Sequence, residues 1–173
     1  MISYGRFNIL GRELTIAIVW NNKGIQGITY SLDGIEFLEE QISRIINHLK
    51  SRNVRVNLSQ EESEYPELVF MVLTGYVSNE EAFKELSLEG LTEFEIKVYS
   101  WLVKNVKRGE VITYGKVAKA LKTSPLAIGG AMRRNPYPII VPCHRVIGKR
   151  NKFLYTPKPS YKKFLLEVEG WTS

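Results

Sequence analysis

TYGKVAKALKTSPLAIGGAMRR, residues 113–134, decides how this chain is read. Thr113 is a helix-capping residue type, with Tyr114 in the first turn and Val117, Ala118, Ala120 and Leu121 following at helical spacing. Lys122-Thr123 leaves room only for a tight turn. Ser124-Pro125 then pairs a cap with a residue whose fixed φ suits the first helical position. Ala127 through Met132 continue a second helix, which Arg133-Arg134 close. Two short helices across a tight turn, the second small-residued and basic at its end, make a helix-turn-helix pattern, although an ordinary helical hairpin has the same outline. Gly129 and Gly130 each cost a helix about 1 kcal/mol relative to Ala. They imply that another helix or a nucleic-acid backbone comes close.

The next residues are Asn135-Pro136-Tyr137-Pro138-Ile139-Ile140-Val141-Pro142-Cys143-His144-Arg145-Val146. Three prolines fix φ and push the residues before them to extended geometry. The apolar run between them is therefore a stiff, interior-going segment. It ends on the only cysteine of the chain, followed by one of two histidines. A lone Cys is commonly a small buried hydrophobe, but a thiol beside an imidazole is also the pairing that makes an activated nucleophile.

Upstream, the first thirty residues read as strands. Leu14–Trp20 is β-branched and apolar, Asn21–Gly24 is a turn signal and Ile25–Tyr30 alternates. Ile35, Leu38, Ile42, Ile45, Ile46 and Leu49 predict an amphipathic helix over 35–50. Val54–Leu58 predicts another strand, Ser59–Glu64 a loop, and Pro66 a second apolar helix. His48 reads as a surface or packing residue, and the first half as scaffold. Residues 86–92 form the junction. Thr92-x-x-Glu95 is a capping box opening a helix with Phe94, Val98, Trp101, Leu102 and Val106 on its apolar face and Gly109 as its stop. Downstream, Ser160 is expected to cap a last helix that Gly170 ends. Glu169 sits in its last turn, where a carboxylate opposes the helix dipole; it is either solvated or functional.

Composition narrows the class. With 173 residues, 44% apolar and 11% aromatic, the chain can build a real core, which excludes disorder. No run reaches the roughly eighteen apolar residues of a membrane span, and the N-terminus has no signal pattern, so a cytoplasmic protein is expected. One cysteine excludes an internal disulfide and a multi-cysteine zinc site. The +6 formal charge is uneven: residues 1–90 carry 8 Lys+Arg against 13 Asp+Glu, net −5, and residues 91–173 carry 16 against 5, net +11. A polyanion partner for the second half, or a merely solvated basic face, fits that asymmetry.

Asn135-Pro136-x-Pro138 leading into Pro142-Cys143-His144-Arg145-Val146, behind Gly129-Gly130-Ala131-Met132-Arg133, resembles the O6-alkylguanine-DNA alkyltransferases over about residues 92–170. The resemblance implies an α+β/α two-domain fold, with an N-terminal α/β scaffold domain (strands plus helix, RNase H-like) over 1–88 and a C-terminal mostly helical, winged helix-turn-helix-like domain over 89–173. It implies a monomer without cofactor or metal that binds double-stranded DNA containing alkylated guanine, rotates the base out, and moves the alkyl group irreversibly onto Cys143. O4-methylthymine would be a lesser substrate. His144 would deprotonate Cys143 through a water, Glu169 would orient His144, Tyr114 would protonate the leaving base or crowd the phosphate to drive its rotation, and Asn135 would hold the turn. Val141, Tyr155, Thr156 and Pro138 would contact the base. Thr113, Ser124, Leu126, Ala127, Gly130, Arg133, Arg134 and Arg145 would contact DNA.

Two departures stand out. Leu126 occupies the place where the family has an arginine that fills the gap left by the base. Tyr155-Thr156-Pro157-Lys158 replaces the family's Tyr-Ser-Gly-Gly, with Pro157 stiffening a wall. Two other readings predict different behaviour: a sensor that binds alkylated DNA without repairing it, and a Cys-His-Glu hydrolase indifferent to DNA.

Overall fold

The computed structural model describes residues 1–150, 152 and 158–172. Strands β1 (Ile2–Ile9), β2 (Arg12–Asn21) and β3 (Gly24–Ser31) form an antiparallel meander, with Ile2 opposite Val19 and Ile18 opposite Ile28. β2 is apolar on both faces because both are covered. Ala17 and Val19 pack under helix α1 (Ile35–Ser51) with Leu38, Ile42 and Leu49. Gly27 lets α1 lie close to β3, since a Cβ there would stand 2.6 Å from Cγ1 of Ile45.

The other face carries the main core. Leu14, Ile16, Ile18 and Tyr30 of the sheet meet helices α2 (Tyr65–Thr74), α4 (Glu93–Asn105), α5 (Tyr114–Leu121), α6 (Pro125–Arg133) and α7 (Pro159–Val168). Val98, Leu102, Ile128, Val141 and Phe164 belong to this same cluster, so the two halves of the sequence share one core. A short parallel pair, β4 (Ile112–Thr113) with β5 (Val146–Ile147), ties the entry of α5 to the exit of the Cys143 segment. No helix among the described residues is long and apolar enough to cross a membrane.

Four expectations change. Val54–Leu58 forms no strand: Val54 and Val56 pack into the α1-side cluster, but no backbone ladder holds the segment to a sheet edge. The pairing with β1 comes only beyond it, in a bridge between Ile2 and Gln60, where Ile2 N donates to Ser59 O at 2.8 Å. Helix α4 ends at Asn105 and not at Gly109, because Val106 turns extended (φ −115°, ψ 104°) and buries. Ser160 is not the cap of α7; Pro159 takes the first helical position and leaves Lys158 outside. Helix α3 (Asn79–Phe83) was not foreseen, although Ser78-x-x-Glu81 is a capping pattern and Ser78 accepts from Glu81 N–H at 3.1 Å.

Candidate active site

A chain of turns places Cys143. Asn135, just after α6, accepts from Tyr137 N–H at 2.9 Å and donates through Nδ2 to Val141 O at 3.1 Å, closing the intervening segment. Inside it, Ile139 has φ +76°, a costly conformation for a β-branched residue. Asn79 of α3 holds that strained turn, donating to the carbonyls of Ile139 and Ile140 at 2.9 Å each. Pro142 follows at φ −80° and ψ 63°, the inverse γ-turn geometry that a proline ring pre-sets. Cys143 N–H accordingly donates to Val141 O at 2.8 Å, and residues 143–145 wind into one 3₁₀ turn. β3 and the junction fix the same segment from outside, with Ile28 N–H on Pro136 O at 2.8 Å and Leu88 N–H on the Tyr137 hydroxyl at 3.1 Å.

Behind the thiol lies a buried charge cluster. His144 Nε2 pairs with Glu169 Oε1, and Glu169 also receives Arg145, with Nη2 at 2.5 Å and Nε at 3.0 Å from Oε2. Arg145 completes its fork on Val106 O at 2.9 Å and Asn79 Oδ1 at 3.2 Å. Burial works to raise the Glu169 carboxyl, but His144 and Arg145 outweigh it and hold the group at about 2. Arg145 thereby gives a carboxylate at a helix C-terminus its reason. Burial pulls the His144 pKa down, with Glu169 opposing, so the imidazole is neutral near pH 7. Its Nε2–H then donates to Glu169, and Nδ1, buried with no hydrogen-bond partner among the described residues, is the basic nitrogen.

Cys143 opens onto a cavity of about 700 Å³. Tyr114, Asn135, Pro138, Leu126, Arg133 and Arg134 line it as well, so the fold gathers much of the set expected from the sequence. Burial raises the Tyr114 pKa, and the charge of Cys143 adds to this, so its phenol keeps its proton as a donor. Leu126 stands 82% exposed at the start of α6, and Arg133 is exposed at its end. Thr113 and Ser124 spend their hydroxyls as caps, accepting from Lys116 and Ala127 N–H. Ala127 is half-buried.

Three expected contacts are corrected. Arg145 is 1% exposed and bound within the protein, so it does not reach a surface ligand. Gly130 is buried beneath the Arg134 guanidinium; the open face belongs to Gly129, where a Cβ would meet nothing. The Val141 carbonyl already accepts from both Asn135 Nδ2 and Cys143 N, which occupies its two lone pairs. Tyr155, Thr156 and Pro157 lie outside the described residues. Lys158, at the end of that segment, binds Asp33 at 3.0 Å.

Several residues of the site escaped the sequence reading. Asn79 is one. Lys162 is another: it is fully buried, its Nζ donates to Val146 O at 2.5 Å, and burial pushes its pKa down to about 8 while the charge of Cys143 pulls it back up. A lysine next to the inward-facing Tyr161, one turn before Phe164, Leu165 and Leu166, was a weak signal at most. The first half is more than scaffold, because Gln41, Arg44, Ile45 and His48 of α1 form one wall of the cavity at spacings of three and four residues.

Comparison with known proteins agrees over nearly the whole chain. Residues 1–88 match the model for the methylated DNA-protein cysteine methyltransferase N-terminal region, and residues 93–171 the model for the 6-O-methylguanine DNA methyltransferase DNA binding domain. A methylated-DNA–protein-cysteine methyltransferase of Pyrococcus horikoshii is 75% identical over all 173 residues, with both chains fully covered. The crystal structure of an O6-methylguanine-DNA methyltransferase from the hyperthermophilic archaeon Pyrococcus kodakaraensis superposes at a TM-score of 0.95, with 49% identity, covering 98% of this chain and 99% of that one. A Mycobacterium tuberculosis relative solved in complex with DNA shares the fold at a TM-score of 0.52 and 19% identity, covering 97% and 93%.

Proposed function

This chain belongs to the methylated-DNA–protein-cysteine methyltransferase family, and on that premise we propose that it repairs O6-methylguanine in double-stranded DNA by taking the methyl group onto its own Cys143. The observation that carries this reading is the placement of Cys143 between the α6-lined cavity and the buried His144–Glu169 pair. The thiol proton passes to His144 Nδ1 through a water, leaving a thiolate. The sulfur attacks the methyl carbon in line as the carbon–oxygen bond to the base breaks, and its electron pair leaves on the purine. Tyr114 supplies the proton that neutralises the departing guanine. The thioether product has no leaving group, so each molecule acts once.

α6 enters the DNA from the minor-groove side with Leu126 as an apolar wedge, Arg133 binds phosphate, and the base rotates into the cavity. Asn135 holds the turn beneath it, and Tyr155, the backbone N–H of Thr156, Pro138 and the Cys143 carbonyl meet the base. O4-methylthymine is the lesser substrate, and the protein acts as a cytoplasmic monomer. The division into domains at 1–88 and 89–173 follows the junction at 86–92. The β1–β3 meander followed by α1 supports an RNase H-like first part, and α5–α6 with the β4–β5 pair supports a winged helix-turn-helix-like second part.

Duplex carrying a labelled methyl on guanine O6 tests the proposal. One label per protein molecule, lost in Cys143→Ala, is expected. Tight binding without transfer would instead make it a sensor.

A further inference from the structure

The cavity has two helical walls, and only one belongs to the helix-turn-helix. The other is the α1 stripe Gln41, Arg44, Ile45 and His48, which Gly27 allows to sit close against β3. The charge across this groove is one-sided. Arg44, Arg133 and Arg134 line it, and among the described residues no Asp or Glu does. Arg134 is committed to the buried Glu95, with Nε 2.9 Å from Oε2. Arg44 and Arg133, one on each wall, form no ion pair among the described residues. The Nε2 of Gln41, one turn from Arg44, is buried without a hydrogen-bond partner. The Arg44 and Arg133 side chains are both exposed, so two guanidinium groups face solvent from opposite walls of the groove, free to take up phosphate. The acidic residues of α1, Glu36, Glu39 and Glu40, are confined to its first turns, which leaves the groove end of an otherwise acidic half basic.

We propose that Arg44 of α1 is a second DNA contact, gripping a backbone phosphate of the strand that carries the rotated nucleotide, opposite Arg133 of α6. This rests on the repair reading above and extends it. The first half of the chain becomes part of the DNA-binding surface, and the duplex is held from both sides of the cavity.

The test compares duplex affinity across a salt series for the wild type, Arg44→Ala, Arg44→Lys and Lys50→Ala. Lys50 is exposed on the same helix but outside the groove, so its variant loses the same charge without the contact. Each phosphate neutralised on B-DNA adds about 0.9 to the slope of log affinity against log salt. Arg44→Ala should therefore lose roughly one unit of slope and bind on the order of tenfold more weakly at low salt. Arg44→Lys should recover most of both, and Lys50→Ala should keep the wild-type slope. Equal slopes for Arg44→Ala and Lys50→Ala overturn the proposal. Labelled transfer by the wild type separates the two levels. Transfer with no Arg44 effect sinks the phosphate contact alone, whereas no transfer and no duplex binding sinks the repair reading with it.

Discussion

Asn79 and Arg145 meet inside the protein, Oδ1 accepting from Nη1 at 3.2 Å. An asparagine from the first half thus steadies the arginine that holds Glu169, while its amide holds the strained turn at Ile139. Asn79→Ala removes acceptors and donors from three buried groups at once. The expected loss is about 2–3 kcal/mol of stability, read by denaturant unfolding, with slower methyl transfer in the protein that remains folded. A stability within about 0.5 kcal/mol of wild type would show that water replaces the side chain without cost.

Acid should unfold the protein through two buried carboxylates. Glu169 and Glu95 are both held at about 2, Glu95 by Arg52 and Arg134 against the upward pull of burial. Their folded values lie below the ordinary 4.5, so the unfolded state binds protons first. The stability they contribute is complete above pH 4.5 and is lost as the pH falls toward 2. Thermal melts between pH 6 and pH 2 should show Tm flat at first and then falling across that window. Glu95→Gln should flatten the fall, and an unchanged slope in that variant would remove Glu95 from the account.

Lys162 separates stability from reactivity. Its value near 8 lies below the ordinary 10.5, so keeping it protonated while buried costs stability at neutral pH, and stability rises between pH 8 and pH 10.5. Lys162→Met should therefore leave Tm at pH 7 equal or higher, while transfer slows roughly tenfold because the cation beside the thiolate is gone. A variant as fast as wild type would show that Lys162 only fills space.

On the proposed reading Leu126 is an apolar wedge at the place where the family resemblance implies an arginine. Leu126→Arg adds a cation at an 82% exposed position on the cavity rim, so duplex affinity should rise severalfold and the salt slope should steepen. Unchanged affinity and transfer rate would show that position 126 does not enter the base stack.

Local chemistry made the second half legible and long-range contact hid the rest. Thr92, Thr113 and Ser124 announce their helices because a cap is decided within four residues. The inverse γ-turn before Cys143 was implicit in Pro142. Val54–Leu58 failed because strand propensity says nothing about whether a partner edge is waiting. Arg145 looked like a surface cation because the reading had no means of bringing Glu169, Asn79 and Val106 to one place. Arg44 and His48 were hidden for the same reason: a helix periodicity shows which residues share a face, but not what that face looks onto.

Because one core runs through both halves and Asn79, Ile28 and Leu88 grip the Cys143 segment, the second half is not a portable module. A fragment beginning at residue 89 would retain the thiol, the imidazole and the carboxylate, but it would lack the mould that sets their spacing. Fusion or shuffling of the DNA-reading part onto other scaffolds would transplant the reagents without the instrument that aligns them.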